Sequence, residues 1–295
     1  LLGRLSADRN VGTVVWEARA DAKGIRYLVG CADVQTSAMA QLMTSHVDDV
    51  RLSAKTRRPA VNSAARVRVS HPSLALSTDR VMAAVRSVMA GLAAAKTGHG
   101  ELVLQVILGP RVAPSILPDK LDDPRATWLD LIMGTVRPAS AETKASMKAR
   151  AGAHGFKTII RLGATADTPG RERHLISNLF GGLKVAESAG SHLHLSLESP
   201  DALSTAQRPW RWPLTLSAPE LVSLMGWPLG EGTLPGVAGV HPKVLPPPAG
   251  MRDSDRPFAI SSAAGERVRL GVSARDSLQH TVLLGPTGSG KSNAM

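Results

Sequence analysis

The residues best suited to chemistry stand near the end of the chain. Gly285-Pro286-Thr287-Gly288-Ser289-Gly290-Lys291-Ser292 fits the pattern G-x-x-x-x-G-K-[ST], and the apolar run Thr281-Val282-Leu283-Leu284 comes directly before it. A loop of this kind turns successive backbone N–H groups toward phosphate oxygens. Such a path needs unusual backbone angles, and Gly285, Gly288 and Gly290 tolerate them. Lys291 can then set a cation on the β- and γ-phosphates, and Ser292 can offer its hydroxyl to Mg²⁺. The preceding run reads as a strand, and the following residues are expected to open a helix whose N-terminus faces the anion. A glycine-rich turn with a chance lysine is the bland alternative; the full match after a strand disfavours it.

Other chemistry-bearing residues are weaker. His192 and His194 lie two apart, hence on one face of a strand, but no cysteine or carboxylate pair at metal-ligand spacing accompanies them. An exposed strand face is the expectation. Trp210-Arg211-Trp212 can stack on bases; a loop docking its aromatics on its own domain is the favoured reading. His280 either contacts the nucleotide region or a neighbouring subunit, or caps a sheet edge. Cys31 is the single cysteine. It is expected as a small core residue rather than a reactive thiol, and its solitude suits a reducing compartment.

Composition sets the frame. Lys and Arg number 35 against 24 Asp and Glu, a net charge of +11. That balance favours anionic partners, nucleic acid before anionic lipid, unless arginine is merely common here. Aromatics make up 3%, so Leu, Val, Ile, Met and Ala must fill the cores. No stretch approaches the 18 apolar residues of a membrane span, and the start lacks a signal-peptide layout. The chain opens on Leu1 and closes on Met295, just after the loop; a fragment of a larger protein is therefore expected.

Several elements must position these residues. Residues 13–18 and 25–30 read as a hairpin turning through Asp21-Ala22-Lys23-Gly24. Met39, Leu42, Met43 and Val47 recur at helical spacing. A strand at 65–69 leads to a helix over 81–92, capped by Ser77 or Thr78, and then to a buried strand at 102–108 that Gly109-Pro110 stops. Five prolines between 110 and 138 mark an excursion with a short helix near Trp128. Residues 139–150 are expected as an exposed helix or a mobile insert. The order repeats with a strand at 156–162, a helix after Thr168-Pro169 and a strand at 192–197. Arg208–Pro213 reads as a rigid loop, and Ser217 with Glu220 as a capping box. Phe258–Ile260 and Val268–Val272 read as strands. The expected fold is α+β: repeated ferredoxin-like strand–helix–strand modules, then the start of a RecA-like P-loop domain. Expected divisions are 1–110 and 151–200 for the modules, 111–150 for an irregular linker, 201–250 for a Pro/Gly-rich connector and 251–295 for the opening of the ATPase domain.

Gln279–Leu284 with the loop, preceded by Ser217–Pro228 and the proline-rich Leu245-Pro246-Pro247-Pro248, resembles the HerA/FtsK-type motor ATPases of type IV secretion and conjugative DNA transfer. The likeness is to coupling-protein-like members of actinobacteria. It is specific over about residues 215–295 and architectural before that. It implies that Gly285, Gly290, Lys291 and Ser292 bind ATP and Mg²⁺, with Pro286, Thr287, Gly288 and Ser289 completing the cradle. It also implies a hexamer that moves DNA or nucleoprotein by ATP hydrolysis, with membrane secretion machinery, at the cytoplasmic face of a membrane. The family's acidic metal-binding and water-activating residues and its arginine finger come later than residue 295. The 295 residues are accordingly expected to bind ATP without turning it over. A pilus or secretion ATPase of another P-loop class is the enzymatic alternative, and a non-catalytic assembly module or gene remnant the other. An ABC transporter subunit fits less well, since its loop lies near the start of its domain.

Overall fold

The computed structural model describes residues 1–8, 10–47, 50, 52–53, 57–97, 100–126, 128–228, 234–236, 249–252, 254–261 and 268–278. The chain divides into two compact units, one of residues 1–39 and 55–239 and one of residues 40–54 and 240–295. The protein is mixed α+β, with a mostly antiparallel sheet and helices.

In the first unit a short helix, α1 (Leu2–Ala7), precedes the hairpin β1 (Val14–Asp21) and β2 (Gly24–Gly30). Asp21 Oδ1 accepts the Lys23 N–H at 2.8 Å, so the expected turn residues do close the hairpin. The helix α2 (Thr36–His46) follows and runs across the division between the units at residues 39 and 40; β3 (Ser63–Val69), α3 (Val81–Ala93) and β4 (Gly100–Val112) continue the first unit. The excursion holds α4 (Trp128–Ile132) and α5 (Ala141–Ala151). After it come β5 (Gly155–Ala166), α6 (Pro169–Leu183), β6 (Leu193–Leu197), α7 (Pro200–Ser204), β7 (Leu214–Ser217) and α8 (Ala218–Leu224).

The two strand–helix–strand stretches share one sheet. Its order is β2-β1-β4-β5-β3-β6, with β7 pairing the end of β5, and all of these pairings are antiparallel. One sheet face is apolar because alternate residues point to it: Trp16, Ala18 and Ala20 of β1, Leu102, Leu104 and Val106 of β4, Ile160, Leu162 and Ala164 of β5. Val85, Val88, Met89 and Leu92 of α3 and Leu175, Leu179 and Leu183 of α6 are buried stripes at helical spacing. The two helices cross closely. A Cβ on Gly182 would stand 2.6 Å from the Ser87 carbonyl oxygen, and one on Gly91 would stand 2.9 Å from Leu179 Cα. Trp227, beyond α8, packs edge-on to Trp16 at 5.2 Å and against Tyr27 at 5.1 Å.

Three local expectations need correction. α3 begins after Arg80 with no side-chain cap, so neither Ser77 nor Thr78 caps it. β4 runs through Gly109-Pro110 instead of stopping there. Its register against β5 shifts between Leu108 and Arg111, and a proline that cannot donate to the ladder is accommodated at such an irregularity. For residues 139–150 the helical alternative is the one found: 141–151 are a helix capped by Ser140, whose Oγ accepts the Thr143 N–H at 3.1 Å, and only its last turn buries a long side chain, Arg150. Cys31 lies just past β2 and is half-buried, outside the core. The cap at Thr168 is as expected, its Oγ1 accepting the Arg171 N–H at 3.3 Å.

The second unit contains the antiparallel pair β8 (Arg256–Ile260) and β9 (Arg269–Val272). The strands expected at 258–260 and 268–272 are therefore present, and the strand expected at 281–284 lies outside the described residues. Among the described residues no helix is long and apolar enough to cross a membrane.

Candidate functional site

The expected phosphate-binding residues Gly285, Pro286, Thr287, Gly288, Ser289, Gly290, Lys291 and Ser292 lie outside the described residues, as does His280. The structure of the first unit shows instead what the sheet holds on its second face.

That face carries a polar row. Glu17 of β1 stands beside Gln105 of β4, Gln105 beside Arg161 of β5, and Arg161 beside Arg66 of β3. Gln105 Nε2 donates to Glu17 Oε1 at 2.7 Å, and Arg161 Nη1 donates to Gln105 Oε1 at 3.1 Å. Arg161 Nε reaches Glu198 at 3.3 Å. One row over, Arg19 is fully buried and bridges two carboxylates. Its Nε donates to Glu17 at 2.9 Å and its Nη1 to Glu101 at 2.8 Å. Arg26 also donates to Glu101.

Two segments cover this row. Arg58 donates from Nε to Glu17 Oε2 at 3.0 Å and from Nη2 to Oε1 at 2.6 Å, while Arg19 Nη1 reaches the Pro59 carbonyl at 3.0 Å. Leu203 of α7 packs with Val103 and Val61, and its carbonyl accepts from Gln105 Nε2 at 2.8 Å. A charged row of this kind is tolerated inside only when its members are paired.

The charges settle accordingly. Burial by itself would raise the Glu17 carboxyl. The hydrogen bonds from Arg58 and Gln105 and the charges of Arg19 and Arg58 outweigh it and hold the carboxyl below its usual value. Burial pulls the Arg161 guanidinium down, against the Glu198 carboxylate that raises it. The bond to Glu17 raises Arg58. The row contains no nucleophile beside a base. Its chemistry is that of a clamp fastening residues 58–61 and α7 to the sheet.

His192 and His194 are exposed, and His192 Nδ1 lies 3.4 Å from a Glu187 carboxylate oxygen. No cluster of three or more metal-ligating side chains occurs among the described residues. The expectation of an exposed strand face fits this placement.

The Trp-Arg-Trp segment divides its roles. Trp212 docks: its ring covers Gly109, where a Cβ would fall 2.2 Å from the indole. Trp210 projects, 90% exposed, with the Arg211 guanidinium 5.1 Å from its ring centroid. The segment is anchored upstream by the end of α7. The Gln207 N–H bonds the Ala202 carbonyl at 2.8 Å and the Ala206 N–H bonds the Leu203 carbonyl at 3.0 Å, with Ala206 left-handed at φ 52°. This is the helix-terminating motif in which glycine is usual. An L-residue there costs about 1–2 kcal/mol, partly offset by the greater chain entropy that glycine loses. Ala206→Gly is expected to stabilise the fold by about 0.5–1 kcal/mol, read as a higher urea midpoint at unchanged m. A lower midpoint would contradict the assignment of strain to Ala206.

In comparisons with known proteins, no family model, no curated protein and no solved structure matches this chain.

Proposed function

We propose that this chain is the ATP-binding N-terminal portion of a HerA/FtsK-type motor ATPase that drives conjugative or type IV secretion-type transfer of DNA or nucleoprotein. The observation that carries the reading is the eight-residue match Gly285–Ser292 directly behind the apolar Thr281–Leu284. Lys291 neutralises the β- and γ-phosphates and Ser292 holds Mg²⁺ through its hydroxyl. The α+β region in front supports it as a separate module ahead of the motor. The order β4-β5-β3-β6, with α3 and α6 each joining two of these strands, supports a ferredoxin-like reading of that module, extended by the β1–β2 hairpin. The strand pair β8–β9 belongs to the opening of a RecA-like domain. The working protein is a hexamer at the cytoplasmic face of a membrane, engaged with secretion machinery.

The test is hydrolysis by the protein expressed from its own gene. DNA is expected to stimulate ATP turnover, and Lys291→Ala to lower that turnover about 100-fold or more, since the lysine stabilises charge on the transferring phosphoryl group. Turnover that DNA leaves unchanged, or that survives the substitution, would sink the motor reading.

A further inference from the structure

We propose that the loop 208–212 is a stacking platform for single-stranded nucleic acid, with the Trp210 indole as the base-contacting surface. An indole 90% exposed on a firmly held loop is the first observation. Upstream, α7 ends in its closed carbonyl-to-N–H motif. Downstream, β7 is hydrogen-bonded to β5, and between them Trp212 is seated over Gly109. Pro209 and Pro213 restrict the backbone on either side of the three residues. Little freedom is left for a ligand to remove, so the ring is presented already ordered.

The second observation is charge. Residues 202–219 include no carboxylate. Arg208 and Arg211 are exposed, and among the described residues neither enters an ion pair or a hydrogen bond. Arg211 instead lies against the Trp210 ring, which leaves its N–H groups free for a phosphate. Lys157 is exposed on the strand next to β7, with its ammonium 3.1 Å from the Thr215 hydroxyl. An aromatic face with exposed arginines one and two positions away is the combination that binds a flexible polyanion with exposed bases. A protein surface carries both signs of charge, whereas the segment 202–219 offers cations and no carboxylate, which suits a polyanion. Stacking needs an unstacked base, so single strands are favoured over duplex.

The experiment is a fluorescence-anisotropy titration of a labelled oligo(dT) of about 20 nucleotides with the full chain, in the absence of ATP, so that its outcome is separate from that at Lys291. Trp210→Ala is expected to weaken binding about 5- to 100-fold, and Trp210→Phe to retain most of it. Arg208→Gln with Arg211→Gln is expected to flatten the slope of log K against log salt by about 1.4. Trp210 touches no core, so the thermal transition is expected to be the same in all four proteins. Three results would each overturn the proposal: no oligo(dT) binding by the native chain, binding by Trp210→Ala within about two-fold of native, or equal losses on oligo(dT) and a blunt duplex of the same length. Loss of self-association in Trp210→Ala with oligo(dT) binding intact would also overturn it, and would mark the loop as a protein contact.

Discussion

Glu17→Ala is expected to lower folding stability by about 3–5 kcal/mol, the usual result of removing one partner from a buried charge network. The Glu17 carboxylate accepts from Arg19 Nε, Arg58 Nε, Arg58 Nη2 and Gln105 Nε2. Arg58 is about one-third exposed and can turn toward water; Arg19 is fully buried and cannot. One Arg19 nitrogen, Nη2, already lacks a partner among the described residues. Truncation therefore strands a guanidinium that retains only Glu101 and the Pro59 carbonyl. Arg58→Ala should cost clearly less, because the Glu17 carboxylate keeps Arg19 and Gln105. Urea denaturation at neutral pH reads both variants. A loss below about 1 kcal/mol for Glu17→Ala would mean that water replaces its bonds and that the clamp is not a clamp.

The same group sets an acid limb. Its folded pKa is depressed, so its contribution is fully present above the unfolded carboxyl pKa of about 4.3 and disappears as pH falls through the folded value. Native protein should lose stability with falling pH in that window. Glu17→Gln, already without the charge, should show a flatter acid limb in the same denaturation series.

Much of the fold was legible where the signal is local. The Thr168-Pro169 helix start, the Asp21–Gly24 turn and the stripe Val85, Val88, Met89, Leu92 all depend on residues within one or two turns of each other. What escaped is long-range. In β1, Glu17 and Arg19 alternate with Trp16, Ala18 and Ala20, a pattern that reads as a solvent face. The face is instead covered by segments 41 and roughly 186 residues away, whose arrival no local window announces. The Ser217–Glu220 capping box was legible too, with the Glu220 carboxylate 2.7 Å from the Ser217 N–H. The same carboxylate also accepts the Leu76 N–H at 2.7 Å and faces Arg150 at 3.4 Å, which turns a helix cap into a tertiary node. Trp210 and Trp212 are equivalent in sequence. Gly109, 103 positions earlier, decides which of them docks, because only a residue without a Cβ leaves room for the ring. The phosphate loop is the opposite case: its chemistry is written in eight consecutive residues.

That loop supplies the most direct test of the functional reading, which is equilibrium binding of Mg·ATP to the protein expressed from its own gene, native and Lys291→Ala. A lysine bonded to phosphate oxygens contributes about 1.5–3 kcal/mol, because a charged donor meets charged acceptors. Saturable, Mg²⁺-dependent binding by the native protein, weakened about 10- to 100-fold by Lys291→Ala, is the expected result. Equal affinities in the two proteins, or no binding by the native one, would contradict it.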